Sequence, residues 1–221
     1  MAKETLKDIL YELIKGKVDA ASRILTEEQK TPTRVEYLNP GSQHVNGMLA
    51  VDKACFTPDI AYDAEDITDV LADETAIGFA LYQRRPSRKG DREELVAYVL
   101  GSRDLEEVHK NDHKTFYLNS AAIIPDLRGG NTGLFPSLMG LFEEAVRQAG
   151  YDHVILHAFD DPILTTCYEQ LGYRKEHFIK GYYADEDEAV VDNGKNDAWL
   201  MRKNIRDQSR VIRSVIDPGI R

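Results

Sequence analysis

Tyr117-Leu-Asn-Ser-Ala-Ala-Ile-Ile-Pro-Asp-Leu-Arg-Gly-Gly-Asn-Thr-Gly133, followed by Leu134, Leu138, Leu141, Phe142, Ala145 and Val146, is the stretch whose reading decides the fold. A β-rich run passes through a Pro-Asp turn and a glycine-rich bend into a helix with apolar residues at helical spacing. A strand, loop and helix in that order aim free backbone N–H groups and the positive end of a helix dipole at one point above the strand. Such a point is suited to an anion, most naturally a phosphate. The spacing is not Gly-x-x-x-x-Gly-Lys-Ser/Thr, no lysine follows the last glycine, and Gly-x-Gly-x-x-Gly does not occur. Neither a nucleotide-hydrolysing loop nor a dinucleotide fingerprint is expected.

The 221 residues carry 28 Lys+Arg against 38 Asp+Glu, a formal net charge of −10. That length suits one core-forming domain with appendages, and the acid excess argues against nucleic acid as a partner. Cys55 and Cys167 show no paired Cys/His spacing, so neither a disulfide framework nor a zinc site is expected, and they suit a reducing compartment. No apolar run reaches membrane-spanning length, and Met1-Ala-Lys-Glu lacks a signal peptide's apolar region. A cytoplasmic protein without a membrane partner is the expectation.

Outward from the central stretch, residues 1–30 read as a helical extension with Leu6, Ile9, Leu10, Leu13 and Ile14 on one stripe. Gly16 is expected to interrupt it before Val18, Ala21, Ile24 and Leu25 resume. The extension packs on the domain or on another subunit, which leaves a homodimer open. Val35 to Leu38 reads as a first strand after the Thr31-Pro32-Thr33 break, and Asn39-Pro40-Gly41 as a turn. Two helices are expected between His44 and Leu71, the second capped by Asp63 with Asp66 three positions on. Thr75 to Gln83 and Leu95 to Ser102 alternate as strands of a hairpin joined by the basic run Arg84 to Arg92. His109 and His113 lie four apart, but the Glu of His-Glu-x-x-His and a third ligand are missing, so no metal site is expected. Tyr151 to Ala158 reads as a strand, and Asp160-Asp-Pro162 opens a helix that stops at Gly172. The domain is expected over residues 31–205, with 206–221 as a tail.

Three pieces in order carry a family resemblance. Arg128-Gly-Gly-Asn-Thr-Gly133 lies in register with the Gln/Arg-x-x-Gly-x-Gly/Ala signature of the GNAT acetyltransferases, with Asn131 in place of the central Gly. Asn is the non-glycine residue most tolerant of left-handed backbone angles. Asp161 to Tyr173 resembles the family's Asn-x-x-Ala-x-x-Leu-Tyr-Glu-x-Leu-Gly-Phe, with Asp161 for its Asn, departures at Thr165 and Cys167, and Tyr168 aligned without a gap. Lys180-Gly-Tyr-Tyr-Ala-Asp185 and Asn196 to Lys203 resemble the end of the N-terminal α-amine acetyltransferases of the ribosomal-protein alanine type. That end includes a strand holding the Tyr-Tyr pair. Asp52-Lys-Ala-Cys-Phe56 resembles a further stretch of the family. The likeness covers most of residues 34 to 205.

The resemblance implies an α/β fold with a mixed, centrally splayed β-sheet flanked by helices. It also implies an enzyme that moves an acetyl group from acetyl-CoA to a primary amine, with a protein or peptide N-terminal α-amine as acceptor. Backbone groups of Ala121, Ala122 and Ile123 would pair with the pantetheine, and amides of Gly129, Gly130, Asn131, Thr132, Gly133 and Leu134 would hold the pyrophosphate. Arg128 would add a cation there, and Asp161 would take the family's cofactor-side Asn position. Tyr168 would protonate the leaving thiolate. Leu156 stands where the family often has a catalytic Glu, so His157 beside it is named as general base, with water relays to Glu36 or the acidic loop as alternatives. Phe56, Tyr182 and Tyr183 would line the acceptor pocket. Asp185 to Glu188 with Asp192 would favour a basic acceptor. Other readings are acetylation of a polyamine, an aminoglycoside or a lysine side chain, a CoA-binding regulatory module, or an assembly protein with residues 1–30 and 206–221 as contact arms.

Overall fold

The computed structural model describes residues 6–38, 42–58, 60–86, 90–103, 112–128, 133–184 and 196–206, with side chains from Ile9 in the first helix and His44 in the second. The first helix, α1 (Leu6–Gln29), runs unbroken past Gly16. Leu10, Ile14, Val18, Ala21 and Leu25 recur every three to four positions and are all buried. Gly16 faces open space, with nothing within 4 Å of where a Cβ would sit. A mid-helix glycine costs about 1 kcal/mol, whereas each long apolar side chain on the stripe contributes roughly 1.5–3 kcal/mol. The stripe prevails and the expected break does not occur. Ile9 and Leu13, assigned to the stripe, are 45% and 58% exposed. Each precedes a buried residue by one position, which at 3.6 residues per turn rotates it off the packed face.

Hydroxyl groups fasten α1 to the edge of the sheet. In β1 (Thr33–Tyr37), the Thr33 amide donates to Thr26 Oγ1 at 2.9 Å and the Val35 amide to Ser22 Oγ at 2.9 Å. Both are donors that an edge strand otherwise leaves unpaired. The remaining elements are α2 (Ser42–Cys55), α3 (Ala64–Ala72), β2 (Ile77–Arg85), β3 (Arg92–Ser102), β4 (Thr115–Ile123), α4 (Leu134–Gln148), β5 (His153–Phe159), α5 (Pro162–Gln170), β6 (Arg174–Ile179) and β7 (Ala198–Asn204). The strands form one mixed sheet in the order β1-β2-β3-β4-β5-β7-β6. Only β4 and β5 run parallel; every other pair is antiparallel.

Strand alternation sorts the core into two layers. Phe79, Leu81 and Val99 join α1 and α4 on one face, while Ala80, Tyr98 and Leu100 join α2 and α3 on the other. The N-terminal helix is therefore part of the principal core. The expected capping box of α3 is present: Asp63 accepts from the Glu65 and Asp66 amides, and Asp66 accepts from the Asp63 amide. Asp161 caps α5 through the Ile163 and Leu164 amides at 2.7 and 3.0 Å. Gly172, at φ 92°, closes that helix in the left-handed region.

Two expectations need correction at the strand level. The β2–β3 pairing continues through Arg84↔Glu93 and Arg85↔Arg92, so the basic joint is shorter than the sequence suggests. The Tyr182-Tyr183 pair is in a turn, and the strand before β7 is β6, Arg-Lys-Glu-His-Phe-Ile, whose side chains are exposed from Arg174 to Phe178. With no buried face, β6 carries no alternation to read. Asn39 to Gly41, His109, the acidic run Asp185 to Glu188 with Asp192, and residues 207–221 lie outside the described residues. So do residues 87–89 of the basic joint.

Candidate active site

β4 and β5 pair only at Thr115↔His153, Phe116↔Val154 and Tyr117↔Ile155, although β4 runs on to Ile123 and β5 to Phe159. Beyond Tyr117 the two strands part. No strand among the described residues takes up the β5-side edge of β4 from Leu118 onward. The parting opens a cleft of about 400 Å³ bordered by β4, β5, α5, the end of α2 and the turn after β6. Phe56, Ala121, His157, Tyr168, Tyr182 and Tyr183, expected at the site, all line it.

Tyr168 is buried, its ring edge-on to Phe135 and to Tyr173 with centroids 5.6 Å away in each case. Burial pushes its titration well above the ordinary phenol value, so the hydroxyl keeps its proton at any physiological pH. His157 and Leu156 both line the cleft, but Leu156 is packed into the core at 1% exposure while His157 faces the aromatic rings of the cleft wall. The His157 ring stacks on Tyr182 at 4.1 Å, and its Nδ1 lies 3.1 Å from the Tyr117 hydroxyl. Tyr183 stacks on Phe159 at 3.9 Å and donates to the His157 carbonyl at 3.2 Å. Burial pushes the imidazole down to about 4, leaving it neutral at physiological pH.

On the expected cofactor side, Gly133 at φ 64° starts α4 from the left-handed region, and a Cβ there would come 3.1 Å from Glu28 Oε2 of α1. Leu134 is buried beneath that start. Ala122 is packed in the α2/α3 layer, away from the cleft lining. The Ile123 carbonyl accepts from Arg128 Nε at 2.8 Å and from Cys55 Sγ at 3.2 Å, so one donor of the Arg128 guanidinium is already used within the chain. The Asp161 carboxylate is spent on its own helix. Gly129, Gly130, Asn131 and Thr132 lie outside the described residues. Glu36 pairs with Arg34 on β1, three strands from β4, and is no part of the cleft.

No protein-family model matches the chain, and no curated protein matches it. Solved structures do match. The ribosomal-protein-S18-alanine N-acetyltransferase from Escherichia coli superposes with a TM-score of 0.57 at 16% identity, covering 78% of this chain and 94% of that one. Arabidopsis thaliana NAA60 in complex with acetyl-CoA gives 0.60 at 17% identity over 78% of this chain and 98% of that one. An aminoglycoside 6'-acetyltransferase type Ii gives 0.53 at 15% over 77% and 96%. The chain has the GNAT acetyltransferase fold.

Within this GNAT fold, the cleft holds polar residues to which sequence reasoning assigned no role, although Asp52 opens the Asp52-Lys-Ala-Cys-Phe56 stretch. Tyr117, read only as part of a strand, faces both His157 and, at 3.5 Å, the Tyr182 hydroxyl. Asp52 of α2 is 1% exposed and borders the cleft. It accepts from the Tyr98 hydroxyl and, at 3.2 Å, from the Tyr62 amide. The Tyr98 hydroxyl is also 2.8 Å from Ser120 Oγ, and Tyr62 Oη donates to the Asn119 carbonyl at 3.2 Å. A signal for Asp52 existed: it continues the apolar stripe Val45, Met48 at helical spacing, where a carboxylate is costly without partners. Among the described residues, no group of three His, Cys, Asp or Glu could hold a metal ion. No described helix is long and apolar enough to cross a membrane.

Proposed function

We propose that the chain transfers the acetyl group of acetyl-CoA to a primary amine, with the N-terminal α-amine of a protein or peptide as acceptor. The parting of β4 from β5 beyond Tyr117↔Ile155, with Tyr168 and His157 both on the resulting cleft, is the observation that carries it. The residues fit acetyl-CoA: the unpaired β4 edge suits the amides of a pantetheine arm, and the start of α4 at Gly133 suits a pyrophosphate. When bound, acetyl-CoA supplies the thioester carbonyl that the amine attacks. Backbone groups around Ala121 align the arm, and amides of the Gly129 to Leu134 stretch hold the phosphates.

Tyr168 donates its hydroxyl proton to the departing sulfur and takes one back from water in the cleft before the next turnover, a role its protonated, buried phenol is ready for. Tyr117 and His157 present a neutral, hydrogen-bonding wall to the amine, with the imidazole as acceptor of one proton. An imidazole titrating near 4 is a weak base. Moving a proton to it from an α-ammonium of reference pKa about 8 is uphill by roughly 5 kcal/mol, and from a lysine ammonium by roughly 9 kcal/mol. That difference favours α-amines over lysine side chains. The E. coli protein of similar fold is named for transfer to an N-terminal-type acceptor, the alanine of ribosomal protein S18, which supports the same reading. The carboxylates of Asp185 to Glu188 and Asp192 add attraction for basic peptides.

Saturating acetyl-CoA is expected to raise the melting temperature, a stabilisation of about 2.7 kcal/mol at a hundredfold excess over Kd. Gly130→Asp, which sets a carboxylate among the amides, should abolish the rise. Wild-type protein with an unchanged melting temperature would contradict the proposal.

A further inference from the structure

Asp52 is held in the fold without an ion pair among the described residues, and its side-chain partner is a phenol. Tyr98 Oη sits between two oxygens, donating to the Asp52 carboxylate and lying 2.8 Å from Ser120 Oγ. Ser120 belongs to the part of β4 that β5 has left, next to Ala121, and its side chain is only partly buried. Both ends of this row border the cleft, but Ser120 is only partly buried whereas Asp52 is 1% exposed, so the row runs from an accessible hydroxyl to a carboxylate that water barely reaches. Burying a carboxylate whose partners are one phenol and one backbone amide, with no cation among the described residues, is unfavourable compared with packing an apolar residue there.

We propose that Ser120, Tyr98 and Asp52 form a proton relay carrying the acceptor amine's proton from the cleft to a buried carboxylate. It rests on the transferase reading above and gives the ammonium's proton a destination besides the His157 imidazole. The substrate's N–H bond breaks as Ser120 Oγ takes the proton, and the nitrogen keeps the electron pair for attack. Ser120's own hydroxyl proton passes to Tyr98 Oη, and Tyr98's phenolic proton passes to Asp52 Oδ1. Both hydroxyls end as they began, Asp52 becomes a neutral acid, and the amine is free. After the product leaves, the same row in reverse returns the proton to water in the cleft.

The surroundings of Asp52 agree with this use. Burial raises its titration above the ordinary carboxylate value, against the opposing hydrogen bonds of Tyr98 and Tyr62, so it accepts a proton more readily than a surface acid. The titratable groups facing it are Tyr98 from β3, Tyr62 from the segment before α3, and Cys55 from its own helix. The Tyr117–His157 wall is separate and is built from β4 and β5.

The test is kcat/KM against pH, with one N-terminal peptide and acetyl-CoA, for wild type, Asp52→Asn, Ser120→Ala and the double variant. Each single variant should lose about 10²-fold at neutral pH, and the loss should shrink at alkaline pH, where the amine sheds its proton unaided. The double variant should be no worse than Asp52→Asn, because members of one relay act as a unit. The acetyl-CoA thermal shift should match wild type in all of them. Ser120→Ala removes only a partly exposed hydroxyl, so it decides the matter if Asp52→Asn folds poorly. A loss in Ser120→Ala that is equal at every pH, or no loss, overturns the relay. Wild-type protein that acetylates no amine overturns the transferase reading and the relay with it.

Discussion

Glu143 on α4 and Asp52 on α2 are 3% and 1% exposed, yet the two faces of the sheet treat them differently. On the α1/α4 face, Glu143 Oε2 receives Lys203 Nζ of β7 at 2.6 Å, and Lys203 is itself 7% exposed and lies over the Tyr173 ring. Glu144 beside it gathers Lys17 of α1, Arg147 at 2.7 Å and Gln148 at 2.9 Å. On the α2/α3 face, Asp52 has a phenol, a backbone amide and an opening to the cleft. Burial alone does not distinguish a structural carboxylate from a working one. The partner does: a cation fixes the charge in place, whereas a row of hydroxyls leaves the acid able to take a proton.

Removing the cation tests the structural side most severely. Lys203→Met should leave Glu143 buried without its ammonium and cost about 3–5 kcal/mol in urea unfolding, while turnover per folded molecule stays near wild type. If Lys203→Met were neutral in stability, the back-face pair would not be the anchor described. On the cleft side, Tyr168→Phe deletes one hydroxyl from a well-packed ring. It should lower kcat by about 10²-fold or more with acetyl-CoA affinity unchanged, equivalent to roughly 2.7 kcal/mol in the barrier. Wild-type kcat in that variant would remove Tyr168 as the proton donor.

A smaller effect follows from pH. Burial would raise Glu144, but hydrogen bonds from Arg147, Lys17 and Gln148 outweigh it and bring the carboxyl down to about 2. Its folded value lies below the ordinary 4.5, so its stabilisation is complete above that pH and fades as pH falls from 4.5 towards 2. His157 acts in a different window. Burial lowers it from 6.5 to about 4, so the unfolded chain binds its proton first and stability falls as pH drops between those values. Lys17→Met should flatten the urea-midpoint profile in the acid window, and His157→Gln should flatten it between pH 6.5 and 4. Unchanged profiles would mean these groups do not feel the surroundings described.

Much of this architecture is legible without coordinates. Leu134, Leu138, Leu141, Phe142, Ala145 and Val146 mark α4 because one face of that helix is buried along its whole length. Asp161, Pro162 and Gly172 mark both ends of α5 through cap chemistry that acts within a few residues. What escapes reading is whatever depends on distant partners. Gly16 fails to break α1 because the buried stripe of α1 packs against β1 and α4, and β6 is hidden because pairing with β7 alone makes it a strand. Tyr117 and His157 are 40 positions apart, as Asp52 and Tyr98 are 46. The first pair meets because β4 lies beside β5, and the second because α2 packs across β3.

The smallest effect belongs to the acidic run after Tyr183. Glu186→Lys with Glu188→Lys should raise KM for basic peptides a few-fold and weaken its salt dependence, leaving kcat alone. An unaltered ratio between basic and acidic peptides would remove the steering role and leave the chemistry intact.

Intact-mass measurement of N-terminal peptides incubated with the protein and acetyl-CoA is the most direct test of the account. Wild-type protein is expected to add one acetyl group to the α-amine of free N-terminal peptides, basic peptides fastest, and Tyr168→Phe to slow the addition about a hundredfold. Peptides that keep their mass with wild-type protein, acetyl-CoA being present in excess, would contradict it.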